Sequence, residues 1–219
     1  MKQFIIVSGG RISDTFACGV IADNKDAMLI AADSGMDFFY RNQMKPHVIV
    51  GDFDSASAEP LAFFRAQPDV RIQQLNPVKD DTDTESAIRL AIALGAEQII
   101  ILGGTGSRLD HVLGNIELLG IGIEENVSIV LMDENNRIRM TKHGMTITKE
   151  EQFGRYVSLI PYTTEVKHLT LRGFKYPLSD YCLKGFCSLG VSNEISDEEA
   201  NISFDGGILL VIESQDESK

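Results

Sequence analysis

Tryptophan is absent from this chain of 219 residues, cysteine occurs three times and proline six times. Cys18, Cys182 and Cys187 are odd in number and irregularly spaced, which excludes a disulfide framework. Cys182 and Cys187 form at most half a metal site, since no second pair accompanies them, so all three read as reduced thiols of a cytoplasmic protein. No apolar run reaches ~18 residues, so no membrane span is expected. The opening Met1-Lys2-Gln3, then Phe4-Ile5-Ile6-Val7, is too short for the apolar core of a secretion signal and reads as a first strand. Basic residues are also scarce: 20 Lys and Arg stand against 32 Asp and Glu, a net charge of −12. Such a surface repels phosphodiester backbones, so no nucleic-acid partner is expected, although a metal ion can screen a small phosphate ligand locally. The remaining composition, 43% hydrophobic and 24% charged, is ordinary for a globular protein and excludes disordered or low-complexity classes.

Two textures follow one another along the chain. Up to about residue 135, short runs rich in Ile, Val and Leu (Phe4–Val7, Met28–Ala32, His47–Val50, Gln98–Leu102, Val127–Met132) alternate with helical patterns at Ala56–Ala66, Thr84–Leu94 and Asp110–Leu119. Continuous apolar runs of that length suit strands buried on both faces. Thr82 with Glu85 three residues on has the spacing of a capping box ahead of the Thr84–Leu94 stripe. Strand–helix alternation predicts an α/β domain over residues 1–135, with a Rossmann-like, mostly parallel sheet. Beyond the polar join Asp133–Arg137 the runs become short and β-prone: Thr146–Thr148, Tyr156–Ile160, Val166–Leu171, Asn201–Phe204 and Ile208–Glu213. They predict a small all-β domain, a sandwich or open barrel, over residues 136–219. Asp205-Gly206-Gly207 between the last two runs predicts a hairpin, and Gln215–Lys219 a frayed tail.

In an open parallel sheet, ligands bind beyond the carboxyl ends of the strands. The residues after successive runs are Ser8-Gly9-Gly10, Asp33-Ser34-Gly35, Gly51-Asp52-Phe53-Asp54-Ser55 and Gly103-Gly104-Thr105-Gly106. Glycine, serine and aspartate at every such end form a constellation rather than one motif. Asp52 and Asp54, at i and i+2 on an extended segment, are expected to point the same way. Two converging carboxylates repel unless a cation or proton sits between them. Mg²⁺ is commonly held by one or two carboxylates with substrate phosphate oxygens and water. A turn-forming aspartate explains one such acid but not the pair with Asp33 nearby. Asp80-Asp81-Thr82-Asp83 is a second acidic cluster. One acid at a helix start is a dipole partner worth ~0.3–1 kcal/mol; three beside Asp52 and Asp54 point to a shared metal site. Gly103–Arg108 has the character of a phosphate-binding turn, in which glycines let backbone N–H groups approach an anion and a following helix adds its positive end. It matches neither a Walker A loop nor the dinucleotide spacing. Arg108 can fork onto a phosphate. His111 reads as a helix-surface residue, because no Ser or Cys nucleophile motif accompanies it.

In this order the pieces resemble the thiamine pyrophosphokinase family. The matching segments are Ala32–Gly35, Gly51–Ser55, Asp80–Asp83 with Glu85, and Gly103–His111 with Asn115. In the β half they are Gly190–Glu194 and Phe204–Leu210. The resemblance implies an α/β catalytic domain joined to a β-sandwich, working as a homodimer with shared active sites. It implies Mg²⁺-dependent transfer of the pyrophosphoryl group of ATP to the thiamine hydroxyl, giving thiamine diphosphate and AMP. By the same resemblance Asp52, Asp54 and Asp83 hold the metal and Asp33 acts at the reacting end. Gly103, Gly104, Thr105, Gly106, Arg108, Asp110, His111 and Asn115 bind ATP, and Ser192 and Asn193 meet thiamine. Without tryptophan, any aromatic packing on thiamine falls to Phe or Tyr. Lys79 lies where family members vary, so no role is assigned to it.

Two other readings compete. A phosphatase of the haloacid-dehalogenase type also uses Asp-x-Asp after a strand, and Lys79, Asp80 and Asp81 fit it superficially. There, however, the pair follows the first strand rather than the third run, and the Arg108 loop would have no use. A non-catalytic nucleotide-binding protein would need the glycine turn but not three acidic sites.

Overall fold

The computed structural model describes residues 1–54, 57–76, 80–106 and 108–216. Ser55, Lys79, Ser107, the first residue of the expected helix at Ala56, and the end of the tail lie outside the described residues. The chain divides into two compact units, Met1–Glu134 and Asn135–Lys219.

The first unit alternates strand and helix: β1 (Gln3–Val7), α1 (Asp14–Asp23), β2 (Met28–Ala32), a 3₁₀ turn at Asp33–Gly35, α2 (Met36–Arg41), β3 (Val48–Gly51), α3 (Ala58–Arg65), β4 (Arg71–Gln74), α4 (Asp83–Ala93), β5 (Gln98–Leu102), α5 (Leu109–Glu117), α6 (Leu119–Glu125) and β6 (Ser128–Met132). The strands lie in the order β6-β5-β1-β2-β3-β4, each pair of neighbours parallel. The expected apolar runs are the central strands, and Phe4 to Val7 are fully buried. Ile5 and Val7 join Ala17, Met36, Phe38, Phe39 and Phe64 of α1, α2 and α3 in one core. On the other face α4 crosses β1, β2 and β3, burying Ala87, Ile88 and Ala91. Each fully buried Val, Leu, Ile or Phe contributes about 1.5–3 kcal/mol, so burial on both faces explains why these runs carry no polar alternation. Thr82 caps α4 by accepting the N–H of Glu85 at 3.2 Å, while the Glu85 carboxylate turns to Arg89.

The second unit contains β7 (Asn136–Thr141), β8 (Met145–Thr148), β9 (Tyr156–Pro161), β10 (Glu165–Arg172), β11 (Leu178–Lys184), β12 (Asn193–Glu194), β13 (Glu199–Ser203) and β14 (Leu209–Ser214). β12-β9-β14-β7 are antiparallel neighbours, and β11-β10-β13-β8 form a separate four-stranded antiparallel sheet. One core takes side chains from both sets, among them Ile147, Val157, Leu159, Leu169, Leu171, Ile202, Leu209 and Val211. Glu213 is fully buried at the end of β14. It is held by Arg137, Arg139 and the backbone N–H of Phe153. Burial is the main reason the Arg139 guanidinium sits below its ordinary pKa.

The expected hairpin at Asp205–Gly207 is not formed, because β13 and β14 lie in different sheets. The turn instead carries the chain from one sheet to the other. Gly206 bridges Lys167 of β10. Gly207 has φ +95°, and a Cβ there would lie 2.3 Å from the Glu165 carbonyl oxygen. Glycine is required there by close backbone approach as much as by turn geometry.

Candidate active site

From β1 the sheet grows through β2, β3 and β4 on one side and through β5 and β6 on the other. The crevice at such a reversal, beyond the carboxyl ends of the strands, is where open α/β sheets bind ligands. A cavity of about 440 Å³ occupies it, lined by Ser8, Gly9 and Gly10 after β1, Asp33 and Ser34 after β2, Asp52 after β3, Asp81–Thr84 at the head of α4, and Gly103, Gly104, Gly106, Arg108, His111 and Asn115 after β5.

The glycine turns after β1 and β5 interlock. Gly10 N donates to Gly103 O at 2.9 Å, and Ser8 N to Leu102 O at 2.8 Å. Gly103 has φ +69°, and its Cβ would lie 2.5 Å from the Ser8 carbonyl oxygen; a Cβ on Gly10 would lie 2.4 Å from that of Gly103. Asn115 of α5, nearly buried, donates its amide Nδ2 to Gly104 O at 2.8 Å. Thr105 is half-buried within the same turn and is not among the lining residues.

Asp33, Asp52 and Asp83 each offer a carboxylate oxygen, and these oxygens lie within 4.8 Å of one another. Asp33 is the most buried of them, 7% exposed, at φ +46° at the foot of β2. Asp54, expected beside Asp52, is not in this group. The segment is not extended: Phe53 has φ +64°, and the alternation that aligns i with i+2 is broken there. Asp54 is exposed and donates its backbone N–H to Asp52 Oδ1 at 3.2 Å. Asp83 opens α4, whose next residue, Thr84, shares a hydroxyl hydrogen bond of 2.9 Å with Ser8.

Arg108 and Asp110 are exposed and pair at 2.6 Å. That hydrogen bond, reinforced by the His111 N–H, lowers the Asp110 carboxyl to about 2. Asp110 lines an adjoining hollow of about 260 Å³ with Thr82, Glu85, His111, Gly114, Asn115 and Leu118. His111, expected on a helix surface, borders both spaces.

In the second unit, Ser192 is exposed at φ +59°, and its N–H donates to Ser158 Oγ at 3.0 Å. Asn193, expected to touch ligand, is 7% exposed. Its Oδ1 accepts from Tyr176 N and Glu194 N, and its Nδ2 donates to Tyr176 O. Both ends of the amide therefore hold the chain beneath Ser192. Sequence reasoning left Ser8, Gly9, Gly10, Ser34 and Thr84 without roles. The signal for the first four was their place at the strand ends, where Ser8-Gly9-Gly10 and Ser34 follow apolar runs; nothing in the spacing marks Thr84.

Residues 22–131 match the family model described as "Thiamin pyrophosphokinase, catalytic domain", and residues 142–209 match "Thiamin pyrophosphokinase, vitamin B1 binding domain". A thiamine pyrophosphokinase of Bacillus subtilis is 35% identical over 222 residues, covering 99% of this chain and all of that protein. A crystal structure of thiamine pyrophosphokinase from Bacillus subtilis superposes with a TM-score of 0.88, covering 98% of this chain and 100% of the other at 35% identity. That of Geobacillus thermodenitrificans gives 0.85 at 32% identity, with 99% of each chain covered.

Proposed function

The chain belongs to the thiamin pyrophosphokinase family, a family of enzymes, and from that premise we propose that it transfers the pyrophosphoryl group of ATP to the thiamine hydroxyl in a Mg²⁺-dependent reaction, giving thiamine diphosphate and AMP. The observation that carries this reading is the meeting of the Asp33, Asp52 and Asp83 carboxylates with two interlocked glycine turns in one cavity.

The donor set suits a small hard cation. All three ligands are carboxylate oxygens, and an octahedral Mg²⁺ at 2.0–2.1 Å sets its oxygens about 3–4 Å apart. The three oxygens, within 4.8 Å of one another, would draw together around the ion. Bound there, Mg²⁺ would neutralise charge on the triphosphate as the phosphorus is attacked. Asp54, exposed on the same turn, is assigned as a further ligand, reached by rotation of its side chain toward that charge. The glycine turns offer backbone N–H groups to phosphate oxygens, and α5 adds the positive end of its dipole. Arg108, exposed and paired with Asp110, can fork onto a phosphate in the same charge-assisted way. We assign Asp33 to the reacting end as well: one of its carboxylate oxygens faces the metal, and the other takes the proton of the thiamine hydroxyl. The hydroxyl oxygen then bonds to the β-phosphorus, the bond from that phosphorus to the α–β bridging oxygen breaks, and AMP leaves with the bridging oxygen.

Thiamine recognition is assigned to the second unit through Ser192, with Asn193 holding its turn and Tyr176 or Phe186, both exposed, as the aromatic surface. Phe186, Leu189 and Val191 are exposed in the connection from β11 to β12. A homodimer in which this apolar segment is covered and the active sites draw on both chains accounts for it, C₂ pairing being the commonest arrangement. Unpaired Cys18, Cys182 and Cys187 accord with a reducing cytoplasm, and among the described residues no helix is long and apolar enough to cross a membrane. Incubation with ATP, Mg²⁺ and thiamine tests the reading. Thiamine diphosphate and AMP in equal amounts are expected; free phosphate released without thiamine would favour a phosphatase instead.

A further inference from the structure

We propose that the buried hydroxyl pair Ser8–Thr84 is a positioning device for the metal acids, holding Asp83 in register with the glycine turns without itself touching metal or substrate. This rests on the metal-binding reading of Asp33, Asp52 and Asp83.

Three carboxylates drawn together repel one another in the absence of a cation. Two of them, Asp33 and Asp52, follow strands of the sheet, whereas Asp83 is the first residue of α4. The head of α4 must therefore be held at the strand ends for the three acids to meet. The next residue, Thr84, is 9% exposed, and its Oγ1 lies 2.9 Å from Oγ of Ser8, which is 5% exposed. Ser8 is tied by its backbone to β5 and the turn that follows it. Its N–H is bonded to Leu102 O, and its carbonyl oxygen lies where a Cβ on Gly103 would come within 2.5 Å. One hydrogen bond thus joins the acid group to both glycine turns, with a single residue intervening at the helix end. The matched family segment begins at residue 22, so Ser8 lies outside it. A bland packing role makes the opposite forecast: valine has the shape of threonine and would fill the space under α4, while serine would leave a gap.

The test uses the full chain as Thr84→Val, Thr84→Ser and Ser8→Ala. Mn²⁺ binding is followed by electron paramagnetic resonance without nucleotide, together with the Mg²⁺ dependence of thiamine-dependent AMP formation. Loss of one neutral hydrogen bond predicts a roughly three- to tenfold weaker Mn²⁺ affinity in Thr84→Val and Ser8→Ala. The Mg²⁺ needed for half-maximal rate should rise by the same factor and the KM for thiamine should be unchanged, while Thr84→Ser behaves as wild type. Should Thr84→Val fail to fold, Ser8→Ala carries the same test from the strand end. Wild-type Mn²⁺ affinity in the hydroxyl-deleting variants overturns the proposal, and so does equal weakening in Thr84→Ser, which would mean packing. A wild-type chain that binds no Mn²⁺ overturns the metal reading itself.

Discussion

The side-chain amide of Asn115 donates to the carbonyl oxygen of Gly104 at 2.8 Å, fastening helix α5 to the turn that leaves β5. The approach leaves no room for a side chain: a Cβ on Gly104 would lie 3.2 Å from Asn115 Nδ2 and 2.7 Å from Leu131 Cδ1. If the loop after β5 binds ATP as proposed, Asn115 acts on it through the turn it holds. Asn115→Ala is expected to raise the KM for ATP several-fold to about tenfold, the scale of one lost hydrogen bond, and to leave the KM for thiamine unchanged. Initial rates against each substrate decide it; an effect on thiamine alone would refute the assignment.

Asp52→Asn keeps the shape of the side chain and removes one of three mutually repelling charges. In metal-free buffer the melting temperature should stay the same or rise, because repulsion is relieved. Turnover should fall by orders of magnitude, because charge neutralisation on the transferred group is lost. Calorimetry and a product assay on the same preparation check both. Near-normal turnover at saturating Mg²⁺ would remove Asp52 from the metal site.

His168 titrates above its ordinary value. The hydrogen bond with Asp180, at 2.6 Å, is the largest cause, followed by the charges of Asp205 and Asp180, with Lys167 opposing. A raised folded-state pKa means that this contribution to stability is fully present below the unfolded value of about 6.5 and is lost as pH rises through the higher folded value. An NMR titration should place the His168 midpoint above that of an unstructured histidine, and Asp180→Asn should bring it down. A midpoint at or below the ordinary value in the wild type would contradict the pairing.

Ser192→Ala should weaken thiamine a few-fold to about tenfold and spare ATP. If active sites are shared, mixing the inactive Asp52→Asn chain with an inactive Ser192→Trp chain restores some activity, and light scattering gives twice the monomer mass at micromolar concentration. A monomer fully active at nanomolar concentration would exclude the homodimer.

The central strands were legible because burial on both faces writes them as unbroken apolar runs, and α4 because its cap and stripe are local. β4, with sequence Arg-Ile-Gln-Gln and its ends exposed, lies at the sheet edge and carries no such run. α2 has only six residues, too few to show a helical period. β7 reads as a polar join because Arg137 and Arg139 answer to Glu213, 76 and 74 residues away. At the site, the acids and the glycines were legible as residue types at strand ends. The grouping was not. Phe53 adopts a left-handed conformation that turns Asp54 out of line, and the partnership of Ser8 with Thr84 spans 76 residues. Local spacing encodes neither.

The central claim is that the nucleophile attacks the β-phosphorus of ATP, and following each phosphorus separately tests it most directly. Three parallel reactions with thiamine and Mg²⁺ would use ATP radiolabelled at the α-, β- or γ-phosphorus, with products separated by chromatography. The account predicts that β and γ label both appear in thiamine diphosphate and that α label appears only in AMP. Transfer of γ label alone, with ADP as the second product, or release of γ label as free phosphate whether or not thiamine is present, would contradict it.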